Sequence, residues 1–319
     1  MKVSKEDPVI NDLIFKELIK RGYSLKGNTR IWNISDSKLW YLKPDQAQAY
    51  LDLERSKVYQ EKVIQEEINL IEKNMGEFLS KFENDSLNII DLGCGDGKKA
   101  AILIEKMKGK VKMRYCPIDI SSYMVGKAIK EISRIKAGKV IDFQWNISDF
   151  ENIENISILL RQGEYKKNLF LLLGNTLGNF EINELLYEVR SSMKSGDFLL
   201  IGNGLDNRHP EEILKSYDTE EVNNFLIHIP LQLGLKREDV TIGTRFANGR
   251  VELYYTINND KKINFQNRSV ELYSGDQILV SISYKYIKSE FISFLKLYFD
   301  EVIVKISKDG SYALALCKK

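Results

Sequence analysis

The sequence has little cysteine and histidine, and it contains no long apolar run. Three cysteines (Cys94, Cys116 and Cys317) and two histidines among 319 residues form no paired metal-ligand spacing. We therefore expect a reducing, cytoplasmic environment, no metal site and no Cys/His catalytic centre. No apolar run approaches the roughly 18 residues that span a bilayer, and the first residues lack the apolar core of a signal peptide, so no membrane association is predicted.

An excess of charge of one sign is also missing. The 47 basic and 45 acidic side chains leave a formal net charge of +2. Proteins that neutralise many phosphates carry a concentrated basic face, so we expect no nucleic-acid partner. With 43% hydrophobic and 29% charged residues, the composition is that of a globular protein and excludes a disordered chain or a coiled-coil rod.

Short apolar runs alternate with helical periodicity over the middle of the chain. The runs at 87–90, 112–118, 141–145, 168–173 and 197–202 are typical of strands. Helical patterns cover residues 98–107, 122–136 and 181–193, and the region 47–81 is mostly helical. Strands that alternate with helices predict an α/β fold, a doubly wound, Rossmann-like parallel sheet with helices on both faces.

The alternation stops after Gly204 and gives way to a polar region with one helical stretch. A strand pattern at 251–257, a turn at 258–260 and an apolar run near Ile263 predict a hairpin. Strand patterns return at 301–306 and 312–316. We therefore predict a core of residues 61–205 plus 284–319 and a smaller α+β lobe of residues 1–60 plus 206–283.

A glycine-rich loop, Asp91-Leu92-Gly93-Cys94-Gly95-Asp96-Gly97, follows a predicted strand and opens a predicted helix. Glycines allow a tight turn and bring main-chain N–H groups against a ligand at the positive end of a helix. Because any tight strand-to-helix turn uses glycine, the loop alone is equally compatible with a structural turn. Its spacing matches neither the dinucleotide motif G-x-G-x-x-G nor the P-loop.

Acidic residues after the next two strands favour one ligand class. Asp119 ends the second strand, where a carboxylate accepts hydrogen bonds from ribose hydroxyls. Asp149 and Phe150 follow the third strand and combine an acceptor with a ring that can stack on adenine. Several carboxylates around one site suit a ligand that carries a cationic sulfonium and an ammonium group better than they suit a pyrophosphate. The sequence therefore predicts S-adenosylmethionine rather than NAD, with cofactor-binding residues Gly93, Gly95, Gly97, Lys98, Asp119, Asp149 and Phe150.

Together with Leu173-Gly174-Asn175-Thr176-Leu177-Gly178-Asn179-Phe180, these motifs resemble the histidine-specific Nα-methyltransferases of ergothioneine biosynthesis. Two further blocks, Arg250-Val251-Glu252 and Ser283-Tyr284-Lys285-Tyr286, match the same family, and the resemblance runs from about residue 38 to the carboxyl terminus. The Gly-Asn-Thr-Leu-Gly-Asn block is far more specific than the nucleotide loop. The resemblance implies an N-methyltransferase that acts on the amine of a small molecule, an amino acid or a derivative of one, and we expect a monomer.

The resemblance also implies where the substrate binds. It places Tyr41 and Asn179 beside the reacting amine, and the remaining substrate-binding residues are Tyr59, Gly174, Tyr217, Ser281 and Ser283. Simpler interpretations are that Asn179 caps the helix that begins near Glu181 and that Tyr41 belongs to the apolar core.

The chain departs from the family at one position. The family normally carries a glutamate two residues ahead of the serine that matches Ser283, and this glutamate grips the substrate imidazole. Here that position is Ser281, so we expect a substrate other than histidine. The alternatives are histidine Nα-methylation itself, methylation of a protein or RNA, and a non-catalytic module that binds S-adenosylmethionine.

Overall fold

The structure, a computed structural model, describes residues 10–56, 64–82 and 85–319. The chain forms two compact units, Met1–Leu53 with Arg208–Ser283 (the small unit) and Glu54–Asn207 with Tyr284–Lys319 (the large unit). Tyr59, a predicted substrate-binding residue, lies outside the described residues. No helix within the described residues is long and apolar enough to cross a membrane.

The described helices and strands are numbered in chain order. Helices α1–α11 are Asp12–Arg21, Pro44–Glu54, Gln65–Leu79, Lys98–Met107, Ser122–Ile135, Ile153–Leu160, Ile182–Ser192, Pro210–Lys215, Glu220–Leu226, His228–Leu231 and Lys288–Tyr298. Strands β1–β14 are Tyr23–Lys26, Thr29–Asn33, Ser86–Leu92, Lys112–Ile118, Lys139–Val140, Lys167–Leu172, Phe198–Gly204, Val240–Ala247, Arg250–Ile257, Lys261–Phe265, Arg268–Leu272, Gln277–Tyr284, Glu301–Ile306 and Tyr312–Lys318.

The large unit contains a seven-stranded sheet in the order β13-β14-β7-β6-β3-β4-β5. Strands β3 to β7 are parallel, whereas β14 runs antiparallel to both β7 and β13. This arrangement confirms the predicted doubly wound α/β fold. The chain proceeds outward from β3 on one side and from β6 on the other, and ligands bind beyond the carboxyl ends of the strands at such a switch point.

Two apolar cores, one on each face, hold the large unit together. Because side chains alternate along a strand, Ile90 and Phe170 join one core while Ile89 and Leu169 join the other. The first core also takes residues from α6, α7 and α11, and the second takes residues from α3, α4 and α5. Burial on both faces explains why the central strands are continuous hydrophobic runs.

The predicted strand at 141–145 is wrong. Strand β5 is only Lys139–Val140, and Gln144–Asn146 forms a 3-10 turn. The fully buried amide of Asn146 donates to the carbonyls of Pro117 and Ile141 and accepts from the N–H of Phe143. These side-chain hydrogen bonds replace the sheet ladder, so the apolar residues of this segment do not extend as a strand.

The small unit contains a five-stranded sheet, β1-β2-β12-β9-β8, and a separate two-stranded sheet, β10-β11. The predicted hairpin between 251–257 and the run near Ile263 is wrong, because β9 pairs with β8 and β10 pairs with β11. Asn248 and Gly249 both have positive φ, of 52° and 69°, which suits a two-residue hairpin turn. The polar region predicted to hold one helical stretch contains three short helices, α8 to α10.

Candidate active site

The glycine loop joins β3 to α4 through three residues in the left-handed region. Gly93, Gly95 and Gly97 have φ values of +66°, +53° and +81°. A Cβ added to Gly97 would lie 2.7 Å from the Cα of Ala128, so the missing side chain allows α4 to approach α5 closely. The N–H of Gly93 donates to the carbonyl of Ile118 at 2.8 Å. These contacts fix the loop beside the end of β4.

We expect Gly97→Ala to destabilise the protein by about 1–3 kcal/mol, because it adds both a steric clash and an unfavourable φ. Gly126→Ala is the matched control, since Gly126 lies in α5 and a Cβ added there would meet no atom within 4 Å. That control should stabilise the protein by about 0.5–1 kcal/mol. Urea unfolding measures both changes, and equal effects would contradict the packing role of Gly97.

Asp119 follows β4 and accepts hydrogen bonds from main-chain N–H groups. Its carboxylate accepts from the N–H of Gly95 at 3.2 Å and from the N–H of Ser121 at 3.0 Å. Burial raises the pKa of the Asp119 carboxyl to about 6, against the main-chain hydrogen bonds that lower it. Each carboxylate oxygen has a second lone pair, so Asp119 can also accept from a ligand hydroxyl.

Asp149 and Phe150 lie in the loop that Asn146 anchors. Asp149 caps the short 3-10 helix Phe150–Asn152 by accepting from the N–H of Glu151 at 2.9 Å. The Phe150 ring lies 5.2 Å from the ring of Phe180, with a tilted geometry. The cap formed by Asp149 and the contact between Phe150 and Phe180 therefore hold this segment in place.

The two adjacent lysines at the start of α4 differ in their surroundings. The Lys98 side chain is 59% exposed and pairs with Asp96 at 2.7 Å. Lys99 is 21% exposed and its Nζ pairs with Glu54 Oε1 at 2.7 Å. A Cβ added to Gly174 would lie 2.6 Å from Lys99 Nζ, so Lys99, and not Lys98, reaches the loop after β6.

The loop after β6 begins with two successive residues in the left-handed region. Gly174 and Asn175 have φ values of +71° and +64°. Asn175 Oδ1 accepts from the N–H of Gly204 at 2.8 Å, which ties the loop to β7. Asn179 ends the 3-10 helix Thr176–Asn179. Glu181, and not Asn179, caps α7, because the Glu181 side chain accepts from the first N–H groups of that helix.

Two residues that sequence reasoning did not single out as site residues carry buried carboxylates in the large unit. Asp91, at the end of β3, accepts from the Tyr115 hydroxyl at 2.6 Å, and burial raises the pKa of Asp91 to about 7. Glu67 on α3 is fully buried and accepts from the N–H of Gly174. The missed signal for Glu67 was an acidic residue on the apolar stripe of a helix, in register with Ile71 and Met75.

In the small unit, the structure brings Tyr217 and Ser283 together. The Tyr217 hydroxyl and Ser283 Oγ are 2.8 Å apart. Ser281 lies two residues before Ser283 on β12, so both serines project from the same face of the strand. The ring centroid of Tyr41 lies 5.4 Å from that of Tyr50 and 5.8 Å from that of Phe225. Tyr50 and Phe225 were not predicted as site residues.

An ion network that the sequence did not predict joins β8, β9 and β12. The buried carboxylate of Glu252 accepts from Arg245 Nε at 2.6 Å and from Arg250 Nη2 at 2.9 Å. Arg245 Nη1 also donates to Gln277 Oε1 at 2.6 Å. Burial acts to raise the pKa of Glu252, but the hydrogen bonds from the two arginines hold it below its ordinary value. Because Gln277 and Ser281 are separated by four residues, the strand pleat gives them the same face.

The large unit therefore presents a glycine loop after β3, a carboxylate acceptor (Asp119) after β4 and an aromatic ring (Phe150) in the segment after β5. Within the described residues, no group of three or more His, Cys, Asp or Glu side chains could hold a metal ion. Carboxylates with main-chain N–H groups, and no lysine within the loop itself, fit the cationic S-adenosylmethionine. This fold and site define an S-adenosylmethionine-dependent methyltransferase.

Comparison with known proteins identifies the family. The chain belongs to the histidine-specific, S-adenosylmethionine-dependent methyltransferases, whose family pattern it matches over residues 58–319. This result confirms the predicted family and cofactor. A comparison with curated proteins gave no match.

Solved structures similar to this chain have low sequence identity to it. The PH0226 protein of Pyrococcus horikoshii OT3 is 14% identical, with 83% of this chain and 94% of that chain covered and a TM-score of 0.43. The CurJ carbon methyltransferase is 10% identical, with 87% and 61% covered and a TM-score of 0.46. The DhpI–SAH complex is 10% identical, with 88% and 97% covered and a TM-score of 0.41.

Proposed function

We propose that the protein is an N-methyltransferase that methylates the amine of an amino acid, or of an amino-acid derivative, other than histidine. The observation that carries the proposal is the hydrogen bond between Tyr217 and Ser283. Both residues match positions that the family uses for its amino-acid substrate, and they meet although 66 residues separate them in sequence. Family membership supports the methyl-transfer chemistry.

The cofactor, when bound, supplies an electrophilic methyl group on a sulfonium. We assign its binding to Gly93, Gly95, Gly97, Asp119, Asp149 and Phe150. Lys98, which is also predicted to bind the cofactor, is 59% exposed and pairs with Asp96, so its role stays a prediction, whereas Lys99 pairs with Glu54 and reaches Gly174 in the loop after β6.

The protein's contribution to the reaction is positioning. In-line displacement needs a neutral amine held within near-attack distance, and excluding water from the site assists it. We assign Tyr41, Tyr59, Asn179 and Tyr217 to holding the amine and the carboxylate of the substrate. None of them is assigned as a general base, because an amine that arrives deprotonated needs none.

The charge on one face of the small unit's sheet supports a substrate other than histidine. Arg245 and Arg250 share the single carboxylate of Glu252, and Ser281 and Ser283 are neutral. These five residues together carry a formal net charge of +1, and a glutamate at position 281 would reduce that charge to zero. A positive face repels an imidazolium and is compatible with a neutral, aromatic or acidic side chain.

The test is release of S-adenosylhomocysteine with each of the twenty amino acids and their simple derivatives as acceptor. The proposal requires turnover of at least one free amine other than histidine. Turnover of a protein or peptide alone would contradict it and favour the protein-modifying alternative.

We expect Asn179→Ala and Tyr217→Phe each to lower kcat/KM for the accepted amine about tenfold, because each removes one hydrogen bond to the substrate. Cofactor affinity should stay within a few-fold of the parent value. Asn259→Ala and Tyr187→Phe are the matched controls, since both residues are exposed. If both test variants turn over as the controls do, the assignment of Asn179 and Tyr217 to the substrate is wrong.

A further inference from the structure

We propose that Glu67 is a positioning residue whose buried carboxylate holds the Gly174–Asn175 turn in the conformation that presents Asn179. The inference rests on the proposed function, because it assigns Glu67 to the loop that we expect to contact the substrate. Glu67 lies on α3, beneath this loop, and belongs to the large unit.

Glu67 holds the turn through its first residue. The N–H of Gly174 donates to both carboxylate oxygens of Glu67, at 3.0 and 3.1 Å. At the other side of the turn, the Asn175 amide oxygen accepts from the N–H of Gly204. Hydrogen bonds with two different elements, α3 and β7, therefore fix a pair of residues that both have positive φ.

The surrounding sequence makes room for this carboxylate. A Cβ added to Gly202 would lie 2.3 Å from Glu67 Oε1 and 2.9 Å from the hydroxyl oxygen of Tyr312. A side chain on Gly202 would thus occupy the volume that Glu67 fills. Gly174 likewise leaves space for the Lys99 ammonium. Glycines on β7 and after β6 therefore face two charged side chains from α3 and α4.

Burying a carboxylate in this position costs free energy unless its hydrogen bonds compensate. Burial raises the pKa of Glu67, while Lys99, the Gly174 N–H and the Tyr312 hydroxyl act to lower it. The remainder of the α3 stripe is apolar, so a leucine or methionine would fit the pattern at position 67. A carboxylate there indicates a requirement for the acceptor.

Removing the acceptor leaves the Gly174 N–H buried without a partner, which frees the turn to rearrange. Glu67→Met keeps the length of the side chain and removes the acceptor, whereas Glu67→Gln keeps one acceptor oxygen. In Glu67→Met we expect roughly tenfold faster hydrogen exchange at the Gly174 amide and a roughly tenfold lower kcat, with KM for S-adenosylmethionine changed less. Glu67→Gln should restore most of both values.

Asp197→Asn is the matched control. Asp197 is equally buried and accepts from the N–H groups of Asn168 and Lys194 at 2.8 and 2.7 Å, but it precedes β7 and so lies at the other end of the strands from Gly174. We expect this control to lose stability and to keep the parental kcat per folded molecule and the parental exchange rate at Gly174. A Glu67→Met variant that behaves in the same way would overturn the proposal.

A second variant covers the case in which Glu67→Met does not fold. Gly202→Ala should displace the Glu67 carboxylate without removing its charge, and it should accelerate exchange at Gly174 as Glu67→Met does. Parental exchange at Gly174 in Gly202→Ala would overturn the proposal. Because hydrogen exchange needs no acceptor amine, faster exchange in a protein that methylates no amine would refute the proposed function and leave the anchoring of Gly174 by Glu67 established.

Discussion

Asp119→Ala should weaken S-adenosylmethionine binding by about 10- to 150-fold, which corresponds to the roughly 1.5–3 kcal/mol of a charge-assisted hydrogen bond. The variant removes the acceptor that we assign to the ribose hydroxyls. It also frees the N–H groups of Gly95 and Ser121, which now donate to Asp119, so the glycine loop loses a fixed point. Titration calorimetry with S-adenosylhomocysteine measures the loss.

Asp142→Ala is the control for this variant, because Asp142 is an exposed carboxylate in the same region of the chain. Its removal should leave cofactor affinity unchanged and thus show that net charge alone does not cause the loss. An unmutated protein without affinity for either form of the cofactor would refute the methyltransferase assignment. Parental affinity in Asp119→Ala would refute only the role of Asp119.

The pH dependence of binding adds a second readout for Asp119. Its pKa is raised to about 6, and hydrogen bonds from a bound ribose favour the ionised form and lower that pKa. The contribution of Asp119 to cofactor affinity should therefore be constant above about pH 6, and it should decrease as the pH falls below that value. Asp91, whose pKa is raised to about 7, adds a pH dependence of its own to binding. The measurement therefore compares the parent with Asp119→Asn, which should lack the decrease in affinity below about pH 6.

Much of the large unit could be predicted from the sequence because its signals are local. Continuous apolar runs marked the buried parallel strands, and the carboxyl end of such a strand is where this architecture binds ligands. Asp119 directly follows β4, and the glycine loop directly follows β3. The strand predicted at 141–145 failed because one buried side chain, Asn146, satisfies the main chain in place of a neighbouring strand.

The small unit and the buried charges could not be predicted in the same way. Strand β9 is flanked by two polar turns, at 248–249 and 258–260, and both contain asparagine. The turn at 248–249 closes the hairpin, so β9 pairs with β8 rather than with β10. The Arg245–Glu252–Arg250 network forms only after this pairing sets Arg245 opposite Glu252. Glu67 is accommodated because Gly202, on a distant strand, has no side chain. The hairpin and its arginine network depend on the choice of turn, and the position of Glu67 depends on contacts with residues more than 100 positions away.

Position 281 carries a serine where the family normally has a glutamate, so a substitution at this position tests what determines substrate specificity. Ser281 is buried and lies on the same strand face as Ser283, whose hydroxyl binds Tyr217. A glutamate there can accept a hydrogen bond from an imidazole N–H, and it adds ionic attraction for an imidazolium. The Arg245–Glu252–Arg250 network has an excess positive charge, which offsets part of the desolvation cost of another carboxylate in this sheet, so we expect Ser281→Glu to fold.

We expect Ser281→Glu to raise kcat/KM for histidine relative to the parent's preferred amine by about 10- to 150-fold, the range that one charge-assisted hydrogen bond provides. The measurement is a competition assay that follows S-adenosylhomocysteine release and identifies the methylated amine. Ser269→Glu is the control, because Ser269 is an exposed serine on β11, and its selectivity should equal that of the parent. The neutral Ser281 gives an imidazole no ionic partner, so the unmutated enzyme should turn histidine over slowly or not at all. Preferred methylation of histidine by the unmutated enzyme would show that another residue determines the specificity.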